Sequence, residues 1–257
     1  MNESNHPLPS SFRDPAGFIF QYENEVYRQV NEPGRKDYDL LLQSGLYDLL
    51  TKKNWLIRHE EMPAGISSNN AYKILKPAQI PFISYPYEWA FSMLKEAALL
   101  TLRIAKASLG HGMMLKDATP FNTQWYKGAM IFIDTLSFEE YKDGSPWIAY
   151  RQFCECFLSP LLLMHYGKMS LHKMQLAYAD GIPLQLTSRF LPWRSRLSIH
   201  TYLHIHLHAK MARRNKATDQ KETLVPKNKL INLLGSLEML VNSLSLEDSG
   251  TVWGDYY

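Results

Sequence analysis

Three polar side chains in the stretch His111 to Thr135, HGMMLKDATPFNTQWYKGAMIFIDT, are spaced to do chemistry together. Asp117 stands five residues before Asn122, and Asp134 stands twelve after it. One carboxylate can take a proton from an acceptor hydroxyl, while an amide and a second carboxylate hold Mg²⁺ against phosphate oxygens. On this reading Asp117 is the candidate catalytic residue, and Asn122 and Asp134 are the candidate metal ligands. Each also has a plainer use. Asp and Asn close loops by bonding their own backbone, and Asp134 can cap the end of a strand. All three together, at this spacing and after a long helix, favour the site.

The elements that must position these residues are readable around them. Lys127-Gly128 is a turn, and Met130 to Ile133 is a short apolar strand ending on Asp134. Upstream, Trp89, Ala90, Met93, Leu94, Ala97, Leu100, Ile104 and Ala107 recur at helical steps. They predict a helix over 87–109, stopped by Gly110 and Gly112. Nearer the N-terminus, Gly17 to Tyr22 and Glu25 to Val30 flank Glu23-Asn24 and predict a hairpin. Asp37 to Lys53 has a leucine-rich helical face with Gly45 as its weak point. Trp55 to Glu61, Tyr72 to Lys76 and Ile80 to Tyr85 read as further strands, with Pro86 ending the last.

Leu115-Lys116-Asp117 with Asn122, followed by Ile133-Asp134, resembles the catalytic and metal loops of the protein-kinase-like superfamily, which includes small-molecule phosphotransferases. The resemblance implies an α+β, two-lobed protein-kinase-like fold. Residues 12–86 would form a small antiparallel-sheet N-lobe with one helix. Residues 87–246 would form a mainly helical C-lobe carrying the loop 111–135. It also implies Mg²⁺ and ATP, or another nucleoside triphosphate, as cofactors. Arg28, mid-strand among Val26, Tyr27 and Val30, stands where the family has a phosphate-gripping lysine. Its fork would serve that purpose, or it simply faces solvent. Ser84 to Glu88 resembles the hinge where adenine meets the backbone, which makes Tyr85 and Tyr87 candidate cofactor contacts; the plain alternative is a strand-to-helix corner. The sequence departs from the pattern in three places. No His-Arg precedes Asp117, Thr135-Leu136 replaces Phe-Gly after Asp134, and the helix over 37–53 holds no glutamate. Asp39, Gln43 or Asp48 would have to stand in for it.

A second resemblance spans nearly the whole chain. Ser11 to Pro15 with Gly17-Phe18, Val26 to Val30, Pro81 to Trp89, Phe132 to Phe138 and Tyr150 to Phe153 are similar to a bacterial family often labelled nodulation-type proteins or SAM-dependent methyltransferases. In that family the methyltransferase follows a segment like Trp253 to Tyr257, where this chain stops. The resemblance implies an N-terminal module, with 247–257 a linker toward an absent methyltransferase domain. S-adenosylmethionine would then bind only through that domain. A methyltransferase needs a strand, a glycine loop and a helix in succession, and no such unit stands out here. The two functional expectations are a phosphotransferase acting on a small molecule or carrier, and a non-catalytic, pseudokinase-like module that presents substrate to a methyltransferase domain or protein or regulates it.

Composition narrows the setting. With 257 residues, 46% hydrophobic and 21% charged, the chain can bury a large core and reads as globular. A net charge of +3 is too small to argue for nucleic acid. Residues 1–11 read as a flexible arm without an apolar signal core. No apolar run is long enough to span a bilayer, so a cytoplasmic protein is expected. Cys154 and Cys156 fit buried thiols better than a disulfide or a zinc site. Lys210 to Lys216 is basic but adjoins a polar connector. His200, His204 and His208, at four-residue steps beside His206, could share a helical face and bind zinc, but no nearby carboxylate or thiol completes a ligand set, and Leu203, Ile205 and Leu207 also alternate as in a strand. Further helices are expected over 147–166, broken near Pro160, over 171–179 and 184–191, and over 227–246. Ser137 to Gly144 reads as a charged loop.

Overall fold

The N-terminal hairpin forms as its turn residues require. The computed structural model describes residues 14–63, 66, 71–167, 173–214 and 224–246. Strands β1 (Gly17–Tyr22) and β2 (Glu25–Asn31) pair antiparallel, with Glu23 and Asn24 both at positive φ in the connecting turn. That is the two-residue turn whose twist matches a hairpin. Gly17 leaves no room for a side chain, because a Cβ there would fall 2.1 Å from the Gln29 carbonyl oxygen. β3 (His59–Met62) and β4 (Ala71–Pro77) complete a four-stranded antiparallel sheet in the order β1-β2-β4-β3.

Alternation along β2 sends Tyr27 to one face and Arg28 and Val30 to the other. Tyr27 stacks with Phe20 and packs on Ile74. On the opposite face Val30 and Leu75 pack against Tyr38 and Leu136. The expected single helix after the hairpin is two helices, α1 (Arg35–Gln43) and α2 (Leu46–Lys52). Gly45, at φ 74°, breaks them apart, a conformation glycine adopts without strain.

The expected strand over Ile80 to Tyr85 is absent. This connector is irregular up to a 3-10 turn at Pro86–Glu88. Pro81 and Pro86 have no N–H to give a ladder, and Ile80 and Ile83 line a cavity instead. The turn delays α3 (Phe91–Gly110) by one turn relative to the expectation. This helix is the column of the main core. Leu41, Leu46 and Leu50 pack into the same buried cluster as Leu94, Leu100 and Ile104 from α3, and Leu234, Leu237 and Val241 from α10 (Lys227–Ser243). Lys95 closes the end of α10 by donating to the carbonyls of Asn242 and Leu244 at 2.8 and 2.7 Å, the favourable end for a cation.

Beyond α3 come β5 (Met113–Leu115), β6 (Thr123–Tyr126), β7 (Ala129–Phe132) and β8 (Phe138–Glu140). β8 pairs with β5, so Ser137 to Gly144 is not simply a loop. α4 (Tyr150–Phe153) and α5 (Ser159–Gly167) are one helical run joined by a π-turn at Cys154–Leu158. Pro160 does not break it. The carbonyl that its missing N–H would have served, Cys156 O, lies in the π-turn and accepts from Gln175 Nε2 at 3.5 Å. Both cysteines are free and buried, and burial pushes each thiol up to about 12. Short helices α6 (Met174–Ala177), α7 (Leu184–Phe190), α8 (Ile199–Thr201) and α9 (His208–Arg214) complete the body. The segments expected as an arm, 1–11, and as a linker, 247–257, and the end of the basic run with its connector fall outside the described residues.

The result is a mixed α+β protein built on a four-stranded antiparallel sheet and a helical body. Among the described residues no helix is long and apolar enough to cross a membrane.

Candidate functional site

Two hairpin-like pairings bring Asp117, Asn122 and Asp134 together. Lys127 and Gly128, both at positive φ, make a two-residue turn between β6 and β7. The register that follows sets Asn122 opposite Ile133, whose amide donates to the Asn122 carbonyl at 2.8 Å. Asp134 is the next residue. On the other side, Lys116 continues the β5–β8 ladder by donating its amide to Ser137 O at 2.8 Å. Asp117 is the next residue there. Gln152 holds the loop by accepting from the Ala118 amide at 2.7 Å, and Thr119 caps the short turn Pro120–Asn122.

The side chains form one chain of contacts. Asn122 Nδ2 donates to Asp117 Oδ2 at 3.0 Å and to Ser137 Oγ at 3.1 Å. Ser137 Oγ donates to Asp134 Oδ2 at 2.7 Å. Asp134 Oδ1 accepts from the Leu136 amide at 3.1 Å and meets Arg28 at 2.6 Å. Arg28 and Asp134 are both mostly shielded, at 12% and 19% side-chain exposure. Asp117 Oδ1 is buried with no partner in hydrogen-bonding geometry, although the Gln152 side chain is close enough to lower the carboxyl.

The two carboxylates are tuned in opposite directions. Burial raises the Asp117 carboxyl above its ordinary value, against the lowering effect of Asn122 and Gln152. Burial also works to raise Asp134, but the Arg28 charge, the Ser137 hydroxyl and the Leu136 amide together hold it below the ordinary value. Two interacting acids pushed apart in this way is a pattern seen at functional sites.

Arg28 and its neighbours also wall a cavity of about 130 Å³, lined chiefly by Ile19, Val26, Ile57, Leu75, Ile83 and Ile133. That is small beside the usual range for ligand pockets, with room for a ring-sized group rather than a whole nucleotide. Gln79 closes one side by pairing with both backbone groups of Val26, at 2.8 and 3.0 Å. Tyr85 and Tyr87 do not line this cavity. They stack on each other with centroids 5.3 Å apart, and the Tyr85 amide donates to Glu88. The connector reaches the cavity through Ile80 and Ile83 instead.

None of the stand-ins for the missing helix glutamate pairs with Arg28 among the described residues. Asp39 accepts from Tyr72 at 2.8 Å and lies 3.7 Å from Arg35. The position facing the sheet is taken by Tyr38, which donates to Glu61 and meets His59, each at 3.0 Å. Burial lowers His59 to about 4, and its Nδ1 has no partner. Arg151 takes no part in the network; it pairs with Glu155 one helical turn along.

Sequence reading missed Ser137, Gln152 and His59. Ser137 left a signal, since Asp134-Thr135-Leu136-Ser137 has the spacing of a turn closed by the aspartate side chain. Gln152 and His59 left none, because both arrive from elements distant in sequence.

For a divalent cation, the Asn122 carbonyl and the Asp134 carboxylate are hard oxygen donors of the type Mg²⁺ takes. Asp134 already serves Arg28, Ser137 and Leu136, yet two oxygens carry about four lone-pair sites between them. Among the described residues no group of three or more His, Cys, Asp or Glu is placed to hold a metal. A cation at Asp134 would therefore complete its shell with water or phosphate oxygens, the ordinary habit of Mg²⁺.

The histidines of 200–208 do different work. A π-turn at Tyr202–Leu207 runs between α8 and α9, so the segment is helical. His204 is buried between the Tyr150 hydroxyl and Ser236 Oγ, each at 2.9 Å. His206 lies between Ser188 and Ser195, each at 2.8 Å. His200 shares Ser236 with His204. These are hydrogen bonds that knit helices together.

Fold and site thus define a mixed α+β protein with a loop-borne acid–amide–acid network next to its antiparallel sheet. No protein-family model matches the chain. The chain is similar to the nodulation protein NoeA of Rhizobium meliloti (strain 1021), with 30% identity over 264 residues, covering 97% of this chain and 54% of that protein. The chain spans about half the length of that relative.

Proposed function

We propose that this chain is a two-lobed, kinase-like domain, with residues 12–86 as the sheet lobe and 87–246 as the helical lobe, that binds Mg²⁺-nucleotide and transfers phosphoryl to a small molecule or carrier. The observation that carries the reading is the unbroken run Asp117–Asn122–Ser137–Asp134–Arg28 beside an apolar cavity. In it, Asp117 orients the acceptor hydroxyl and takes its proton. Its raised carboxyl and unpartnered oxygen suit a group waiting for a donor. Asn122 and Asp134 would hold Mg²⁺, which when bound neutralises charge on the phosphates. Arg28 supplies the fixed positive charge of the site, and the cavity takes the base. Positioning and electrostatics carry most of the rate in such reactions. The relative's name ties that protein to nodulation, and we extend the association to this chain. We further propose that it works with a SAM-dependent methyltransferase in another domain or protein.

Thermal shift with Mg²⁺-ATP tests the binding. Wild type is expected to be stabilised and Asp134→Ala not, each compared with its own unliganded midpoint. Equal shifts reject cation-dependent binding at this site. Transfer is tested by phosphoryl incorporation into candidate acceptors, abolished in Asp117→Asn. Titration with S-adenosylmethionine is expected to give no heat, and tight binding would reverse the division of labour.

One observation favours a second reading. Arg28 is paired with Asp134 itself rather than with an acid on α1. An arginine seated on the metal carboxylate suits a non-catalytic module that presents substrate to a methyltransferase. Steady transfer by wild type, lost in Asp117→Asn, eliminates that reading.

A further inference from the structure

We infer that Ser137 is a positioning residue that fixes which end of the Asn122 amide faces a cation; the inference rests on the Mg²⁺-nucleotide reading above. Asn122 is built to be ambiguous. Its side chain has a carbonyl oxygen at one corner and an NH₂ at the other, nearly equal in shape. Only the oxygen can bind a divalent cation. Half a turn about the last side-chain bond would present the wrong end.

The contacts around Asn122 remove that freedom. An NH₂ carries two protons, and each has an acceptor. One goes to Asp117 Oδ2 at 3.0 Å, the other to Ser137 Oγ at 3.1 Å. Asp117 alone could hold one proton and let the group rock. Two acceptors hold both and leave Oδ1 to a ligand. Ser137 can accept because its own proton is already assigned: Oγ donates to Asp134 Oδ2 at 2.7 Å, and a carboxylate there only accepts. The direction of the whole chain follows from that one fact.

Ser137 is well held for the purpose. It is 1% exposed. Its carbonyl accepts from Lys116 at 2.8 Å and its amide donates to Asp134 O at 3.4 Å. It thus joins the loop that carries Asp117 to the loop that carries Asp134 through both backbone and side chain. An outer partner that orients a ligating group in this way typically carries 10–100-fold in metal affinity when removed.

The test uses Ser137→Ala in the full chain, with circular dichroism to establish that it folds. The first readout needs no metal. In wild type, the Asn122 side-chain NH₂ signals, identified by their loss in Asn122→Ala, are expected to be protected from hydrogen exchange. In Ser137→Ala that protection is expected to fall at least tenfold for one proton. The second readout is the free-ion EPR signal of Mn²⁺ titrated in the presence of a non-hydrolysable ATP analogue, where Ser137→Ala is expected to bind 10–100-fold more weakly. Ser137→Thr, which keeps the hydroxyl, is expected to recover affinity relative to alanine. Unchanged amide protection overturns the inference. So does loss of protection with Mn²⁺ affinity equal to wild type. A wild-type protein that takes up no Mn²⁺ with nucleotide overturns the parent reading and this one with it, an outcome told apart from the others by the wild-type arm alone.

Discussion

Two regions of this molecule carry polar side chains whose spacing suggests chemistry, and they differ in how completely those side chains are used. Around His204 and His206 every ring nitrogen has a hydroxyl partner within 2.9 Å. Around Asp134 the network is also continuous, but it ends on Asp117 Oδ1, which is buried and unpartnered. A saturated network rigidifies a core, whereas an unsaturated one costs stability and needs a reason. Spacing nominates candidates in both places. The partners of each group tell the two apart, although buried polar atoms without partners also occur away from the site, at Ser159 Oγ and Gln175 Oε1.

The strongest way to break the comparison is at the ion pair. Asp134→Ala leaves Arg28 charged, shielded and without its carboxylate, which typically costs about 3–5 kcal/mol. Urea denaturation is expected to register a loss of that size. Replacing both partners, Arg28→Met with Asp134→Leu, is expected to recover most of it, since apolar groups of similar volume often replace a shielded pair without penalty. A single variant as stable as wild type would mean that the pair is solvated and the network loose.

The histidine cluster gives the next largest effect, with a sign fixed by its protonation. Burial draws His204 down to about 4 from an ordinary 6.5. The unfolded chain therefore takes up a proton near pH 6.5 that the folded chain accepts only near 4. Stability from this residue is complete above pH 6.5 and is lost as pH falls through that window, by roughly 3 kcal/mol in all. His59 acts in the same direction. His204→Gln is expected to flatten part of the acid slope measured by urea midpoints between pH 7.5 and 4.5. It is also expected to lose about 1–3 kcal/mol at neutral pH, from the partners left unsatisfied. Neither zinc nor EDTA is expected to move the wild-type midpoint. A zinc-induced rise of several degrees would show that these nitrogens are available after all.

Asp117 should behave in the opposite sense. Its carboxyl is raised by burial, so its charge opposes folding as pH climbs above the ordinary 3.8 for this group. Asp117→Asn, which removes the buried charge and keeps an acceptor for Asn122, is expected to be more stable than wild type at pH 7 and to gain nothing near pH 3, read from urea midpoints. A functional group that destabilises its own fold is the usual trade. A loss of stability at pH 7 would make Asp117 an ordinary turn residue.

These contrasts also explain what the sequence disclosed. The hairpins at Glu23-Asn24 and Lys127-Gly128 were legible because local turn chemistry decides them, and with them came the approach of Asn122 to Asp134. Gly45 was legible only as a weak point within one helix; its left-handed backbone, which makes it a full break, was not. Ile80 to Ile83 misled, since apolar side chains lining a cavity look like those of a buried strand. β8 was hidden because Phe138–Glu140 is short and charged, and its partner lies over twenty residues upstream. The helix through Pro160 survived because a π-turn and a distant glutamine absorbed the defect. The four-residue histidine spacing allowed a helix, the alternation of Leu203, Ile205 and Leu207 equally allowed a strand, and neither pattern told of the serines and tyrosine that occupy the imidazoles. Residue type and spacing carry local geometry; satisfaction by distant partners has to be seen in three dimensions.

The smallest expected effect sharpens the comparison from the other side. Arg151 and Glu155 make an ion pair at 3.0 Å, with the same chemistry as Arg28 and Asp134. The arginine here is 69% exposed and the pair lies along one helix. Water competes for both charges, salt screens them, and holding a long side chain costs entropy, so such a pair contributes about 0.3–0.5 kcal/mol. Arg151→Ala is expected to shift the urea midpoint by no more than that, and by less still at 0.5 M salt. If the loss instead exceeded 1 kcal/mol and persisted in salt, Arg151 would be reaching a shielded acid such as Asp117, and the network described around Asp134 would have an arm missing from it.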